Sequence, residues 1–404
     1  MKVCVIGGGA AGMMAAITAA DCGHQVLLLE RQARVGRKLM ATGNGRCNLT
    51  NRHAAPQHYH GEDADFCAYA LSAFDVEATL QWFESHGLVT VTEDSGRVYP
   101  YSNMAGSVLD VLRYALERPD IELHAGCVVT RIRRRGNAFS VETEEGSFSA
   151  DKVILCAGGA AGSKVGGVMD GYQLAKHLGH HRTALYPSLV QLKTDPTYPR
   201  ALKGVKAEAR VRILQGREVL AENRGEILFT EYGVSGPAIF EISRAAAVGG
   251  EGLLVELDFL PDWTAEATAS WLQQRRDSAG NREAGSLLAG TLHSRLGQMV
   301  CKAAGFTAQS ADTLDDADLQ KIARQLRRFT LPILGVCGFD QAQVTAGGLR
   351  TDEFDPQTME SRLVPGFYAC GEVLDIDGDC GGYNLHWAWA SGILAGRHAG
   401  KEAT

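Results

Sequence analysis

"KVCVIGGGAAGMMAAITAADCGHQVLLLE", residues 2–30, decides the fold. Lys2 to Ile6 reads as a short apolar strand. The turn Gly7-x-Gly9-x-x-Gly12 follows at once with Ala10 and Ala11 inside it, and a small-residue helix runs on to about Cys22. A second apolar strand, Gln25 to Leu29, ends in Glu30. Each glycine has its own reason. Gly7 permits the tight turn, Gly9 lets a pyrophosphate approach the backbone, and Gly12 lets helix pack close to strand. The helix start then offers free N–H groups and a partial positive charge to phosphates. Glu30, followed by Arg31, stands at about the 20-residue distance where a carboxylate accepts ribose hydroxyls. It would repel a 2′-phosphate, which disfavours NADP at this turn. The unit predicts a dinucleotide site in an α/β fold, without separating NAD from FAD.

The next stretch leans toward FAD. "RVGRKLMATGNGRCNLTN", residues 34–51, is a polar, glycine-rich loop where an NAD domain would continue with another strand and helix. Gly43, Asn44 and Gly45 supply flexible backbone; Arg37, Lys38 and Arg46 supply cations, with Asn48 close behind. FAD carries a flavin end that needs a cradle beyond the pyrophosphate, and this loop suits it. Farther on, a β-meander leads into a buried strand, Val153 to Cys156, that ends in the small turn Ala157-Gly158-Gly159. Val128 stands where a backbone group meets adenine in two-dinucleotide-fold flavoproteins. Ala157 breaks the register of a second GxGxxG, so no resident NAD(P)H domain is expected. NAD(P)H is expected as a transient co-substrate.

Bulk composition narrows the partners. The 404-residue chain has a formal net charge of −7, whereas a nucleic-acid binder shows basic excess. The one basic run, Arg131 to Arg135, is expected to cap a hairpin on a solvated face. Ten cysteines are scattered without a CxxC pair, which fits a reducing cytoplasm. The apolar N-terminus carries four glycines that break a signal or membrane helix. The expected protein is cytoplasmic and takes a small-molecule substrate, with no nucleic-acid, membrane or metal partner.

Four motifs carry a family resemblance: "GRKLMATGNGRCNLTN" (36–51), "GRVYPYSNMAGSVLDVL" (96–112), "EILFTEYGVSGPAIFEIS" (226–243) and the long C-terminal "VTAGGLRTDEFDPQTMESRLVPGFYACGEVLDIDGDCGGYNLHWAWASGILAG" (344–396). Together they resemble the BaiN/YhiN-type flavoproteins over essentially the whole chain. The resemblance implies a three-layer dinucleotide fold of the glutathione-reductase/fumarate-reductase type, with FAD held by a split domain. It also implies hydride chemistry; at least one relative reduces a carbon–carbon double bond in a steroid-like bile acid intermediate. Where the family commonly shows Gln in "GGYNLQ", this chain has His386.

The C-terminal motif holds a second glycine turn before a helix beginning near Asn384. An apolar strand ends in Gly371-Glu372, and Gly382, Asn384 and Leu385 then open the helix. Phosphate is already provided for at Gly7 to Gly12, so this second start is expected at the flavin's pyrimidine edge. There it would stabilise the negative charge of the reduced ring; the bland alternative is a plain helix cap by Asn384. Tyr383 and His386 are the candidate proton donors. Cys47 lacks the cysteine partner of a disulfide reductase. The expected division is 1–190 and 330–404 for the FAD domain, around an antiparallel β insert (191–261) and a helical insert (262–329). Two rivals stay open: a substrate oxidase using oxygen, and a flavoprotein that binds RNA or a protein partner.

Overall fold

The computed structural model describes residues 1–400. They divide into two compact units, 1–186 with 343–400 and 187–342. In the first unit, five parallel strands run in the order Phe367–Ala369, Lys152–Leu155, Lys2–Ile6, Gln25–Glu30, Ile121–Ala125. The central three are buried on both faces, which is why they read as continuous apolar runs without alternation. A three-stranded antiparallel meander, 129–150, follows the edge strand. Its Arg131 to Arg135 segment is mostly exposed. Val128 immediately precedes the meander's first strand and lies outside it.

The first helix, Ala10–Asp21, and the last, Tyr383–Ala399, pack directly against one another. Gly392 lies against Ala11, and a Cβ there would meet the Ala11 carbonyl at 2.5 Å. One turn on, a Cβ on Gly396 would meet the Ala15 carbonyl at 2.6 Å. Both contacts climb the two chains in the same direction, so the helices are parallel. In the sequence, Leu385, Trp389 and Ile393 recur every four residues, which predicts a last helix with one buried face. It is buried all round, from Tyr383 to Ala399 with few gaps, as a helix apolar on every side must be. Both tryptophans are accordingly core: the Trp387 Nε1–H donates to the Gly371 carbonyl (3.2 Å) and that of Trp389 to the Leu49 carbonyl (2.9 Å).

The second unit closes a six-stranded antiparallel barrel in the order Leu192–Thr194, Gly233–Ser235, Glu218–Phe229, Lys206–Gln215, Leu253–Asp258, Phe329–Val336. The helices Ala265–Ala279, Ser294–Ala303 and Asp316–Arg327 share its hydrophobic core. This differs from the expected boundaries at 190, 261 and 329. The strand after the helices, Phe329–Val336, returns to pair with Leu253–Asp258 and Leu192–Thr194, so sheet and helices make one unit that ends at 342. Glu256, 1% exposed, is neutralised by Arg212 and Arg328.

The glycine seam between the two parallel helices yields a stability test. Gly396→Val is expected to destabilise the cofactor-free protein by about 1–3 kcal/mol through overpacking, read as a lower thermal midpoint. Gly106→Ala, where a Cβ meets nothing within 4 Å, is the control and should hold or raise it. Equal midpoints for both variants would contradict the seam.

Candidate cofactor and active site

At the carboxyl end of the parallel sheet, Gly7 turns the chain at φ +107°, and a Cβ there would lie 2.4 Å from the Cys156 carbonyl oxygen. Gly12 is tighter still, since its Cβ would lie 1.8 Å from the Gly7 carbonyl. Gly9 is different. A Cβ on it would meet nothing within 4 Å, and its backbone is extended where it caps the first helix. The protein's own packing does not demand a glycine there, and the open space leaves room for a group laid against the helix start. The Glu30 carboxylate is 8% exposed and accepts from the N–H groups of Gly8 and Gln32, both at 2.6 Å. Those bonds fix it at the rim of a groove lined also by Arg31, Lys38, Val128, Ala157 and Gly158. An open cradle, free helix N–H groups and a fixed carboxylate are the donor and acceptor set of an adenine dinucleotide.

Pairing inside the protein accounts for several of the expected cations. Lys38 Nζ lies 2.6 Å from Glu372 Oε2, and Glu372 Oε1 accepts the Thr345 N–H at 2.9 Å. Arg31 pairs with Asp170 at 2.5 Å. Arg46 reaches Glu93 at 2.7 Å and Asn103, with its guanidinium 3.8 Å from the Tyr99 ring centre. These residues border the site while their charges are balanced within the protein.

The second glycine turn sits against the 43–51 loop. Gly381 and Gly382 have φ of +128° and +104°, and a Cβ on Gly382 would lie 2.4 Å from the Thr50 carbonyl and 2.9 Å from Asn48 Oδ1. Gly43, Asn44 and Gly45 are all left-handed, at +57°, +56° and +85°. The Asn51 amide donates to the Gly381 carbonyl at 2.9 Å. Asn48 is 8% exposed, and its Oδ1 is a buried acceptor without a protein partner, as a group awaiting a ligand donor is. Asn384 is not a cap. The helix begins at Tyr383 with Gly382 as its N-cap and no side-chain capping bond. The Asn384 amide instead clasps the preceding loop, accepting from Gly378 N–H (2.8 Å) and donating to the carbonyls of Gly378 (2.7 Å) and Asp379 (3.2 Å). This leaves the first-turn N–H groups of Asn384 and Leu385 without helical acceptors. Gly371, whose N–H donates to Ser391 Oγ at 3.0 Å, joins the last strand to the flank of the same helix.

The relation of the two helix starts follows from the glycine seam. Gly392 beside Ala11 and Gly396 beside Ala15 put the helices in parallel register. Tyr383 therefore begins the last helix roughly eight residues, or about 12 Å, beyond the start of the first. Two positive helix ends point the same way, staggered by the span between a diphosphate and a ring joined to it by a five-carbon chain.

Tyr383 and His386 are both buried, at 6% and 1%. The Tyr383 ring stacks on His58 at 4.5 Å. His386 lies inside the core, with Nδ1 2.9 Å from Thr50 Oγ1 and 3.4 Å from Thr79 Oγ1 and with Nε2 lacking a protein partner. Burial pushes its pKa down to about 4, against the weaker pull of Asp75 in the other direction. A neutral imidazole in the core buttresses the turn through Thr50. Cys47 is buried, and burial pushes its thiol up to about 12, far from a reactive thiolate. Thr50 and Asn51, which seat the second turn, went unnoticed in the sequence; only their pairing with Arg97–Pro100 shows where they lie.

A family model described as the HI0933-like protein Rossmann domain matches residues 1–398. The chain belongs to this family. It is 40% identical to the 3-dehydro-bile acid delta(4,6)-reductase of Clostridium scindens over 99% of both chains. It is 29% identical to the ribosomal RNA dihydrouridine synthase of Escherichia coli, over 96% of this chain and 95% of the relative. Quinol fumarate reductase FrdA of E. coli superposes with a TM-score of 0.50 at 17% identity, covering 99% of this chain and 70% of that one, a likeness of fold. The family, the fold and the relatives make this chain an FAD-dependent oxidoreductase. No described helix is long and apolar enough to cross a membrane.

Two measurements check this site. Gly9→Val is expected to leave the cofactor-free protein's thermal midpoint unchanged while weakening FAD at least tenfold, whereas Gly12→Val lowers the midpoint itself. Normal FAD affinity in Gly9→Val would contradict the cradle. For His386, the folded state refuses a proton that the unfolded chain accepts, so stability is intact above about pH 6.5 and is lost as pH falls toward 4. His386→Gln should therefore gain on wild type by about 1.4 kcal/mol per pH unit across that window in denaturant titrations; a constant difference would contradict the buried neutral imidazole.

Proposed function

We propose that the protein reduces a carbon–carbon double bond conjugated to a carbonyl in a small, largely apolar substrate, with NADH or NADPH entering transiently as donor. The observation that carries this reading is the pair of parallel helix starts staggered along one sheet edge, which fits a single FAD from diphosphate to ring. Bound FAD supplies two-electron hydride chemistry at its ring. The chain's residues do the rest. Gly7, Gly9 and the N–H groups at Ala10, Ala11 and Gly12 hold the diphosphate, and Glu30 takes the ribose hydroxyls. Arg31, Lys38, Val128, Ala157 and Gly158 wall the groove, with Glu372 holding Lys38 in place.

Gly43, Asn44, Gly45, Arg46 and Asn48 form the ring's cradle, opposite Gly371, Gly382, Asn384 and Leu385. The helix start at Gly382 to Leu385 favours negative charge at the ring's pyrimidine edge because its N–H dipoles are fixed before the charge develops. The bile acid reductase, 40% identical over 99% of both chains, supports an enone as substrate class.

A second reading has its own support in the ribosomal RNA dihydrouridine synthases, 29% and 26% identical, which points to a base in RNA as substrate. A net charge of −7 weighs against a polyanion, whose binding rests on neutralised phosphates. Anaerobic mixing distinguishes these readings. NADH or NADPH is expected to bleach the flavin, and a conjugated steroid dienone, or cyclohexenone more slowly, to restore its colour with saturated product. Restoration only by unmodified ribosomal RNA would favour the second reading. A flavin that nicotinamides leave yellow, but which oxygen reoxidises after substrate addition, would make the protein an oxidase.

A further inference from the structure

Just ahead of the second glycine turn, two histidines converge on one carboxylate. Asp379 Oδ2 lies 2.9 Å from His58 Nδ1, and Asp379 Oδ1 lies 2.7 Å from His60 Nε2. The backbone locks the three together. Asp379 N–H donates to the His58 carbonyl at 3.0 Å, and Asp377–Gly378 pairs antiparallel with Tyr59–His60. The Asn384 amide holds the Asp379 carbonyl from the helix side, and the Tyr59 hydroxyl donates to the Tyr383 carbonyl at 3.0 Å.

The three side chains are 28%, 37% and 31% exposed, open enough to exchange protons with water. Burial raises the Asp379 carboxyl, but the bonds from His60 and His58 outweigh it and hold the group below its ordinary range. Ion pairs this exposed contribute at most about 1 kcal/mol each to stability, so folding alone explains the arrangement poorly. The other titratable groups around it are Tyr59, with Cys67 beside it, and Tyr383; Asp375, Asp377 and Cys380 on the Asp379 segment; Glu62 beyond His60 on the facing strand; and Arg97 beside Gly381.

We propose that His58 is the general acid of the reduction, with Asp379 as its positioning residue and His60 as the second partner that orients the Asp379 carboxylate. The assignment rests on the enone-reductase reading and moves the acid away from the buried Tyr383 and His386. With Nδ1 on Asp379, the opposite ring nitrogen of His58 is the one available to substrate. The substrate's β-carbon receives a hydride, with both electrons, from the reduced flavin. The electron pair of the double bond becomes an enolate. The His58 Nε2–H bond then breaks, its proton forms the new bond at the α-carbon, and the neutral imidazole is reprotonated from water. NADH or NADPH supplies the next hydride.

The experiment uses the FAD-loaded full chain and its Asp379→Asn, His58→Gln and His60→Gln variants, with flavin content and bleaching by NADPH as the folding control. Reoxidation by the steroid dienone is expected to slow about 100-fold or more in His58→Gln. In Asp379→Asn, the alkaline limb of its pH profile, where the acid loses its proton, should move to lower pH. Imidazole NMR gives a readout apart from turnover. The His58 ring signals should move in Asp379→Asn, and they should shift when the dienone is added to wild type. Unchanged reoxidation in His58→Gln, with wild-type enzyme active, overturns the assignment and leaves the reductase reading standing. If no enone reoxidises wild type, the reductase reading fails and the acid assignment falls with it; an active wild type whose His58 signals ignore the dienone overturns the assignment alone.

Discussion

Two glycines pressed onto two carbonyls hold this molecule's functional geometry in place. Gly392 on Ala11 and Gly396 on Ala15 leave no room for a Cβ, so the first and last helices run side by side in parallel at close range. The sheet fixes where the first helix starts, and the seam transmits that position to a helix more than 360 residues later. A larger residue at either glycine would push the helices apart and move the second turn away from the 43–51 loop. Everything proposed about the cofactor depends on those two helix starts facing the same way with a set stagger.

The two ends are built differently because they meet different chemistry. At the first, an open Gly9 and a pinned Glu30 suit a ligand that is already charged and polyhydroxylated when it arrives. At the second, the backbone is forced into left-handed turns at Gly43 to Gly45 and at Gly381 and Gly382. The contacts there are neutral amides and helix N–H groups. Nearby cations such as Lys38 and Arg46 are balanced by carboxylates. Preorganised dipoles without a net cation favour a charge that appears only during turnover, and do so without trapping a permanent anion.

Much of this was legible in the sequence wherever the signal is local. The Gly7 to Gly12 turn, the two flanking strands and Glu30 were readable because a strand, a tight turn and a helix start constrain adjacent residues. Gly392 and Gly396 stand one helical turn apart in the sequence, a spacing that permits close packing without naming its partner. What the sequence hid is long-range. The last helix looked one-sided because alanines and glycines carry little apolar signal, yet it is surrounded. Asn384 looked like a cap, since only the folded loop shows its amide turned back to Gly378. Phe329–Val336 looked like a return to the first domain, because barrel closure depends on pairing with Leu192–Thr194, far away in the chain. His386 was a candidate proton donor from its place at a helix start, and only the fold shows it buried against Thr50 and Thr79.

The most direct test of the central claim is NMR of the protein loaded with FAD labelled at the ring's N1 and C2, with the diphosphate observed by its phosphorus signals. The account predicts that Gly382→Ala shifts the labelled ring signals while the phosphorus signals stay put, and that Gly9→Ala does the reverse. If both substitutions disturbed the same end of the cofactor, or if the ring signals matched those of free FAD in water, the two helix starts would not share one flavin and the account would be wrong.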